Sequence, residues 1–316
     1  PRANRHQHRR PTASCSPEPS ACRPRTSHRP QDHPPVMADN EVVTISRPSG
    51  ARCEVQRFGA HVKSWAGPDG QDRLFMSSIA EGKPKALRGG IPVCFPQFAN
   101  RGPGGKHGFA RQSDAWKVLS TADEPVPTAT FELTSDESTA AAYPHAFRLL
   151  YHVSLPADDK LTCALQVINK GEEPMEFTAA LHTYFRVADV EGIAVEGLQG
   201  TTYEDSAAEA DPETGAKPLK QEAQEAVPVA GEVDRIYFRT PANVAIKDGP
   251  RKVAILAQGF KDTVLWNIGA EKAPTLKDLG PGEWKHYVCV ESGVIEKPVK
   301  LEPMNSWMAG VTYKIE

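Results

Sequence analysis

Short segments in which apolar and polar residues alternate recur along most of the chain, beginning near residue 42. They are rich in β-branched and aromatic residues, and Gly, Pro, Asn or Asp residues separate them, as is typical of β-strands. The clearest segments cover residues 41–46, 51–58, 115–119, 128–133, 147–155, 161–168, 175–187, 244–247, 253–256, 263–268, 284–291 and 307–315. So many strands predict an all-β protein, in which two twisted antiparallel sheets pack face to face and bury their apolar sides.

Residues 207–226 form the only helix-compatible stretch of any length in the sequence. Their content of Ala, Glu, Pro and Lys is typical of an exposed insertion rather than of a core helix. The sequence has no evident internal repeat, which argues against a propeller. The expected architecture is therefore a β-sandwich that carries one exposed insertion.

The first 36 residues differ from the rest of the chain, because Arg, Pro, His and Ser dominate and only Glu18 and Asp32 are acidic. A segment of this composition cannot pack a core. We interpret it as a disordered extension ahead of a start at Met37, or alternatively as an organelle transit peptide, which is typically rich in Arg and Ser. The prediction is a single domain over residues 37–316, in the cytoplasm, or in a plastid if residues 1–36 act as a transit peptide.

The charge balance is close to neutral, with a formal net charge of -3 over 316 residues. Nucleic acid is not an expected partner, because the sequence has no basic stripe to follow a phosphate backbone. A membrane is not expected either, since no apolar run approaches the roughly 20 residues that span a bilayer. The six cysteines lack the paired spacing of a zinc or redox site and are predicted to be reduced thiols.

The most unusual part of the sequence combines glycine pairs with two prolines: residues 87–98 read LRGGIPVCFPQF, and residues 106–111 read KHGFAR. These residue types predict a rigid, irregular loop, and such loops often carry binding groups. Arg88 and Arg111 are therefore candidate clamps for a phosphate or carboxylate, which a guanidinium binds through two hydrogen bonds. The alternative is that each arginine pairs with a nearby carboxylate of the protein itself.

A second candidate segment, residues 180–187, reads ALHTYFRV and predicts a strand. Side chains alternate between the two faces of a strand, so His182, Tyr184 and Arg186 share one face. Such a polar face must meet solvent, a partner or a cleft. His182 is on this ground a candidate catalytic group, although a histidine on a strand is more often structural.

Two acidic residues and one aromatic residue complete the candidates. Glu291 is predicted to end the strand 284–291, where its side chain projects into a cleft or, alternatively, is simply solvated. Asp234 is predicted to precede a strand, where it could be a turn residue. Trp266 is predicted as a core side chain, with stacking on a sugar as the alternative. The sequence contains no motif for metal or nucleotide binding, so no metal and no cofactor is predicted.

Taken in order, these segments resemble the glucose-6-phosphate 1-epimerases, also called hexose-6-phosphate mutarotases, within the aldose 1-epimerase group. The resemblance covers roughly residues 40–315 and rests on RGGIPVCFPQF followed by HGFAR, and then on LHTYF, EVDRIY, LWN and YVCVESG in the family's order. It implies the galactose-mutarotase-like β-supersandwich of antiparallel sheets. It also implies an isomerase that acts on hexose 6-phosphates.

The resemblance further implies a role for each candidate residue. His182 corresponds to the family's catalytic histidine, and Glu291 corresponds to its catalytic glutamate. The positions implied to bind substrate are Arg88, Lys106, His107, Arg111 and Asp234. Lys106 departs from one family pattern, which has a glutamine there, so its role stays open. Residues 207–224 match no motif of the family and are interpreted as an insertion in a loop.

The implied activity is interconversion of the α and β anomers of D-glucose 6-phosphate by opening and closing of the sugar ring. Glu291 would take a proton from the C1 hydroxyl while His182, charged when the substrate arrives, gives one to the ring oxygen. The expected partner is this small molecule alone, bound by a monomer. Two alternatives stay open: a 1-epimerase of free aldoses, and a carbohydrate-binding sandwich without catalytic activity.

Overall fold

Segments in which apolar and polar residues alternate form β-strands in the structure. The computed structural model describes residues 42–316. These residues form twenty strands and two short α-helices. The strands are β1 (Val42–Ser46), β2 (Arg52–Gln56), β3 (His61–Ala66), β4 (Val93–Cys94), β5 (Lys117–Ala122), β6 (Thr128–Thr134), β7 (Phe147–Ala157), β8 (Lys160–Asn169), β9 (Met175–Leu181), β10 (Tyr184–Arg186), β11 (Ile193–Glu196), β12 (Thr202–Asp205), β13 (Leu219–Gln221), β14 (Ala226–Pro228), β15 (Val233–Tyr237), β16 (Asn243–Asp248), β17 (Arg251–Gln258), β18 (Asp262–Asn267), β19 (Tyr287–Leu301) and β20 (Ser306–Ile315). The helices are α1 (Glu137–Ala140) and α2 (Gly269–Lys272). The all-β prediction is confirmed.

The strands pair in antiparallel fashion to form three sheets. The largest has nine strands in the order β14-β11-β16-β17-β20-β8-β7-β6-β5, and the smallest is β1-β2-β3. The third has eight strands, seven of them in the order β13-β12-β15-β18-β19-β9-β4, while β10 also pairs with β19. One hydrophobic cluster includes Val55 of β2, Leu165 of β8 and Val290 of β19. The three sheets therefore share a core, as a sandwich requires.

The eight-stranded sheet presents its two faces to different surroundings. On β19, Val288 and Val290 point into the shared core. Cys289 and Glu291 alternate with these two valines along the strand, so their side chains point to the opposite face. We call this opposite side the Glu291 face of the sheet. Because the side-chain period of a strand is two, the same alternation that builds the core also fixes which residues can line a site.

The segment 175–187 was predicted as one strand, and this prediction is wrong. The chain leaves the sheet between β9 and β10, where the backbone N–H of His182 donates to the Pro92 carbonyl at 3.0 Å. The N–H of Tyr184 donates to the Gly90 carbonyl at 2.9 Å. The irregular Gly- and Pro-containing loop therefore replaces a neighbouring strand at this point and holds His182 at the edge of the break.

Two further predictions are wrong: that a strand over residues 284–291 ends at Glu291, and that Asp234 precedes a strand. Residues Glu283–His286 form a 3-10 turn, and β19 continues well beyond Glu291. The strand does not stop at Gly293, because that residue is paired with β18 on one side and with β9 on the other. Asp234 lies within β15 rather than ahead of it. Both acids are thus fixed on a sheet, which positions them more rigidly than a turn would.

Residues 207–226 are mostly exposed, as predicted, and they contain no helix. Part of this segment is β13, which pairs with β12 at the edge of the eight-stranded sheet. Beside that strand, the buried carboxylate of Glu222 accepts hydrogen bonds from Tyr237 Oη at 2.7 Å and from Arg235 Nη1 at 3.0 Å. This segment is therefore held against the sheet by a buried polar cluster.

The predicted reduced state of the cysteines is confirmed for the four in the described range, which are buried free thiols: Cys53, Cys94, Cys163 and Cys289. Cys15 and Cys22 lie outside the described residues. The interpretations of residues 1–36 and the boundary at residue 37 lie outside them as well. Among residues 42–316, no helix is long and apolar enough to cross a bilayer.

We predict that Gly90 cannot be replaced, since it lies at a positive φ of 60° in contact with β3. An added Cβ would collide with the Val62 carbonyl oxygen and the His61 imidazole. We expect Gly90→Ala to lower the free energy of unfolding by about 3 kcal/mol or more, because strain and overpacking add. Urea titrations of the wild type, of Gly90→Ala and of the matched control Gly70→Ala measure this loss.

Gly70 has a similar positive φ of 73°, but a Cβ there would meet no atom within 4 Å. Its substitution should cost only about 1 kcal/mol, the penalty of the left-handed backbone. Equal losses for the two variants would show that the contact with His61 and Val62 has no energetic weight.

Candidate active site

A cavity of about 430 Å³ lies on the Glu291 face of the eight-stranded sheet. The seven candidate residues from the sequence all line it: Arg88, Lys106, His107, Arg111, His182, Asp234 and Glu291. They come from the irregular loop, from the break after β9 and from strands β15 and β19. A cavity of this volume suits a small molecule the size of a sugar phosphate.

His182 and Glu291 form a close pair within this cavity. Nδ1 of His182 lies 3.3 Å from Oε1 of Glu291, and the two residues are 9% and 1% exposed. Neither His182 Nδ1 nor Glu291 Oε2 has a hydrogen-bond partner among the described residues. Buried polar atoms are nearly always hydrogen-bonded in folded proteins. Within the described residues, the protein therefore leaves this pair short of hydrogen-bond partners.

Burial shifts the pKa values of this pair in opposite directions. It raises the pKa of the Glu291 carboxyl well above its ordinary value, and the charge of Asp234 adds to the rise. It lowers the pKa of His182 well below its ordinary value, with further lowering from His107 and from the nearby cations. A poorly solvated site disfavours the charged form of each group. Burial therefore favours the uncharged form of the pair, in which the Glu291 carboxyl is protonated and the His182 imidazole is neutral.

His107 packs its ring against that of His182, with the ring centres 5.2 Å apart. Its Nδ1 accepts a hydrogen bond from the backbone N–H of Ala99 at 3.2 Å, and its ring meets Phe98 edge-on. Burial, followed by the charge of Arg111, lowers the pKa of His107 to about 3. The imidazole is therefore neutral, and because Nδ1 is an acceptor, Nε2 carries the proton. It can donate one hydrogen bond to a ligand.

Arg88 pairs with a carboxylate of the protein, which the sequence analysis had left open as the alternative. Its Nε and Nη2 donate to the two carboxylate oxygens of Asp278, each at 3.2 Å, and its Nη1 donates to Tyr184 Oη at 2.9 Å. Asp278 and Tyr184 also line the cavity. These contacts raise the pKa of Arg88, with the Tyr184 hydroxyl as the largest cause. The guanidinium is permanently charged and held in one position on the cavity wall.

Arg111 and Lys106 form a second cationic group on the loop. Arg111 lies in the 3-10 turn Ala110–Gln112 and donates from Nη2 to the backbone carbonyl of Lys106 at 2.8 Å. Its Nε is buried and lacks a hydrogen-bond partner in the described part of the chain. Lys106 is exposed and lines the cavity with its side chain. The loop therefore brings positive charge to the same cavity as the His182 and Glu291 pair.

Asp234 and Trp266 lie opposite each other on the neighbouring strands β15 and β18. Burial raises the pKa of Asp234 to about 6, and the charge of Lys106 opposes the rise. Trp266 is only partly buried, lines the cavity and meets the His182 ring edge-on with centres 5.9 Å apart. The prediction of Trp266 as a core side chain is therefore wrong, because its neighbour Leu265 points into the core instead.

Sequence reasoning gave no role to two residues that the structure brings into the cavity wall. Tyr184 was predicted to share a strand face with His182. The two-residue spacing could therefore have indicated that Tyr184 lines the same site. Asp278 lies in a loop rich in Gly and Pro, where nothing in the sequence distinguishes it from a solvated acid. Its partner Arg88 is remote in sequence, so only the fold reveals the pair.

The ligand atoms of His182, Cys289 and Glu291 lie within 4.8 Å of one another and could in principle hold a metal ion. Burial and the charge of Glu291 raise the pKa of the Cys289 thiol well above its ordinary value. A thiol binds metals as the thiolate, which this environment disfavours. The chemistry of these groups suits proton transfer better than metal binding.

Comparison with known proteins extends over nearly all of the described residues. A family model described as aldose 1-epimerase matches residues 41–314. A Cenchrus ciliaris protein provisionally named glucose-6-phosphate 1-epimerase is 35% identical over 275 residues, which cover 82% of this chain and 80% of the relative. An Escherichia coli K12 protein with the same provisional name is 32% identical over 249 residues, which cover 77% and 80% of the two chains.

Solved structures share the fold. The crystal structure of a provisionally assigned mutarotase from Salmonella typhimurium aligns with a TM-score of 0.76 at 26% identity, over 87% of this chain and 90% of that one. A galactose mutarotase-like protein from Lactobacillus casei aligns with a TM-score of 0.67 at 15% identity, over 87% and 100%. The predicted galactose-mutarotase-like sandwich is confirmed.

We predict that Asp234 makes the stability of the protein depend on pH. Its folded-state pKa of about 6 lies above the ordinary value of 3.8, so at pH 7.5 the carboxylate is charged in both states and its burial is unfavourable. Asp234→Asn should then raise the free energy of unfolding, on the order of 2 kcal/mol. As the pH falls through 6, the folded wild type binds a proton and the difference shrinks.

Urea titrations at pH 7.5 and pH 4.5 measure this difference. Asp158 is the control, because hydrogen bonds from Ser49 and Arg47 lower its pKa instead. Asp158→Asn should be destabilising by nearly the same amount at both pH values, because both lie above the ordinary pKa of 3.8 and the folded-state pKa is lower still. A constant effect of Asp234→Asn at both pH values would contradict the assigned pKa.

Proposed function

Because the chain belongs to the aldose 1-epimerase family, we propose that it interconverts the α and β anomers of hexose 6-phosphates, D-glucose 6-phosphate first among them. The observation that carries the proposal is the contact between His182 and Glu291 in a cavity that is also lined by Arg88, Lys106 and Arg111. An acid and base pair suits ring opening, and the cations suit a phosphate. The provisional names of the relatives support the phosphorylated substrate.

Anomer exchange requires that the pyranose ring open and close. Glu291, as the carboxylate, takes the proton of the C1 hydroxyl while the bond between C1 and the ring oxygen breaks. His182, as the imidazolium, gives a proton to the ring oxygen, which leaves an open-chain aldehyde. After rotation about the C1–C2 bond, the same two groups exchange roles and the ring closes on the other face of C1. Each proton transfer contributes about 10²- to 10⁴-fold to the rate.

Substrate binding is what brings the pair into this ionised form. Without a ligand, burial disfavours both charges and so favours the form in which the proton is on Glu291. A phosphate dianion beside Arg88, Lys106 and Arg111 offsets the cations that lower the pKa of His182. The C1 hydroxyl, hydrogen-bonded to Glu291, stabilises the carboxylate. Both effects favour transfer of the proton from the carboxyl to the imidazole.

The remaining cavity residues suit the sugar ring. Asp234 accepts and His107 donates hydrogen bonds, and hexose hydroxyls can satisfy both. The exposed part of Trp266 offers an apolar surface for the C–H groups of the ring. All of these groups come from one chain, so a single subunit carries the complete proposed site. Lys106 then has a role in binding phosphate in place of the glutamine of the family pattern.

We predict that Glu291→Gln lowers kcat at least about 100-fold while binding of glucose 6-phosphate changes little, since the amide is isosteric but cannot take the proton. The measurement is the relaxation of pure α-D-glucose 6-phosphate to its anomeric equilibrium, followed by polarimetry or NMR against the spontaneous rate. Glu296→Gln, on the same strand and outside the cavity, is the matched control and should keep wild-type activity.

Full activity of Glu291→Gln would overturn the assignment of the base. Wild-type acceleration of free glucose but not of glucose 6-phosphate would establish the free-aldose alternative. Acceleration of neither sugar would favour the carbohydrate-binding sandwich without catalytic activity.

We predict that Arg111→Ala and Lys106→Ala raise KM for glucose 6-phosphate by about tenfold or more, because each removes a charged hydrogen-bond donor to the phosphate. KM for free glucose should stay within about twofold. Steady-state kinetics on the two sugars measures the difference, and the exposed Lys314→Ala is the control. A large loss of kcat with unchanged KM would contradict the assignment of these residues to the phosphate.

A further inference from the structure

Tyr184 contacts both halves of the candidate site. It is 2% exposed, lines the cavity and lies at the start of β10, immediately after the break that carries His182. Its hydroxyl accepts the hydrogen bond from Arg88 Nη1 at 2.9 Å. Its ring lies parallel to the His182 imidazole, with an interplanar angle of 5° and ring centres 4.8 Å apart. One side chain therefore joins a cation of the cavity wall to the histidine.

The backbone holds Tyr184 in place from two sides. Its N–H donates to the Gly90 carbonyl at 2.9 Å, and its carbonyl accepts from the N–H of Phe75 at 3.0 Å. Across the sheet it pairs with Cys289 of β19, two residues from Glu291. A ring fixed on this frame restricts the plane in which the stacked imidazole of His182 can lie.

Two further aromatic side chains support the Tyr184 ring. Tyr287 packs against it with centres 5.3 Å apart, and Trp266 meets it edge-on at 6.0 Å. A side chain packed on several sides keeps one rotamer, and rigid support of this kind decides whether a catalytic group stays within reach of its target. The imidazole of His182 must meet Glu291 with one nitrogen and the substrate with the other, so its plane matters.

We propose that Tyr184 is a positioning residue with two separable tasks: its hydroxyl orients Arg88 for the phosphate, and its ring fixes the plane of the His182 imidazole. This inference rests on the function proposed above and deepens it. The hydroxyl task affects only the binding of phosphorylated substrates. The ring task affects proton transfer, with phosphorylated and unphosphorylated sugars alike.

Two variants of Tyr184 separate the tasks. Tyr184→Phe removes the hydroxyl and keeps the ring, so KM for glucose 6-phosphate should rise about tenfold, with kcat and all constants for free glucose within about twofold. Tyr184→Leu also removes the stacked ring, so kcat should fall about tenfold or more on both sugars and the pH profile of kcat should shift. Tyr287→Phe is the matched control. Tyr287 belongs to the same aromatic group as Tyr184, and its buried hydroxyl does not hydrogen-bond to Arg88.

A second measurement is independent of turnover. The ring resonances of His182, assigned by comparison with His182→Asn, should move in Tyr184→Leu and stay in place in Tyr184→Phe. Affinity for inorganic phosphate should fall about tenfold in Tyr184→Phe and stay unchanged in Tyr287→Phe. These readouts apply even if the wild type does not act on glucose 6-phosphate, an outcome that would overturn the proposed substrate and not the role of Tyr184.

Three results would overturn the proposal. Equal changes in kcat and KM for Tyr184→Phe and Tyr184→Leu would indicate a structural role only. An effect of Tyr184→Phe on free glucose as large as on glucose 6-phosphate would refute the hydroxyl task. Unchanged His182 resonances in a folded Tyr184→Leu protein would refute the ring task.

Discussion

The burial of the Glu291 carboxyl is the constraint on which the rest of the site depends. Glu291 lies within β19, which is paired with β18 on one side and with β9 and β10 on the other, and it is 1% exposed. An ionised carboxylate in such a place costs several kcal/mol unless it is compensated. This cost favours a protonated carboxyl beside a neutral imidazole. Charge separation is then needed only when a substrate can stabilise it.

The position of the cations follows from the same constraint. Arg88, Lys106 and Arg111 lie on the irregular loop rather than on the sheet, so they reach the cavity without entering the core beneath it. They still act on the buried pair, because they lower the pKa of His182. One set of charges thus has two effects: it keeps the imidazole neutral in the free enzyme, and it attracts the anion that reverses this effect.

The sequence predicts what depends on local pattern and not what depends on remote contacts. The two-residue period of apolar positions was sufficient to predict the sheets. It also indicates that Cys289 and Glu291 lie on the opposite face of β19 from Val288 and Val290. It would also have placed Trp266 in the cavity, opposite Leu265, but the frequent burial of tryptophan outweighed the alternation. Residue type was the weaker guide here.

The break after β9 could not be predicted in the same way. It depends on the carbonyls of Gly90 and Pro92, which accept hydrogen bonds that a neighbouring strand would otherwise accept. No residue pattern near His182 in the sequence predicts that the loop carbonyls take the place of a neighbouring strand. The pairing of Arg88 with Asp278 is hidden for the same reason, since the two residues meet only after the sheets have formed.

The Arg88–Asp278 pair does not conflict with phosphate binding. A guanidinium has five N–H donors, of which Asp278 engages two and Tyr184 engages one, so two stay free for a phosphate. Removing the carboxylate would leave the charge of Arg88 partly buried and unpaired, which is unfavourable. Tyr184 adds no negative charge, and Lys106 and Arg111 offset that of Asp278. The hydroxyls of a neutral sugar can accept only the weaker hydrogen bonds from the free donors, whereas a phosphate dianion forms charge-assisted ones. The same contacts that keep Arg88 in place therefore favour a phosphorylated hexose over a neutral one.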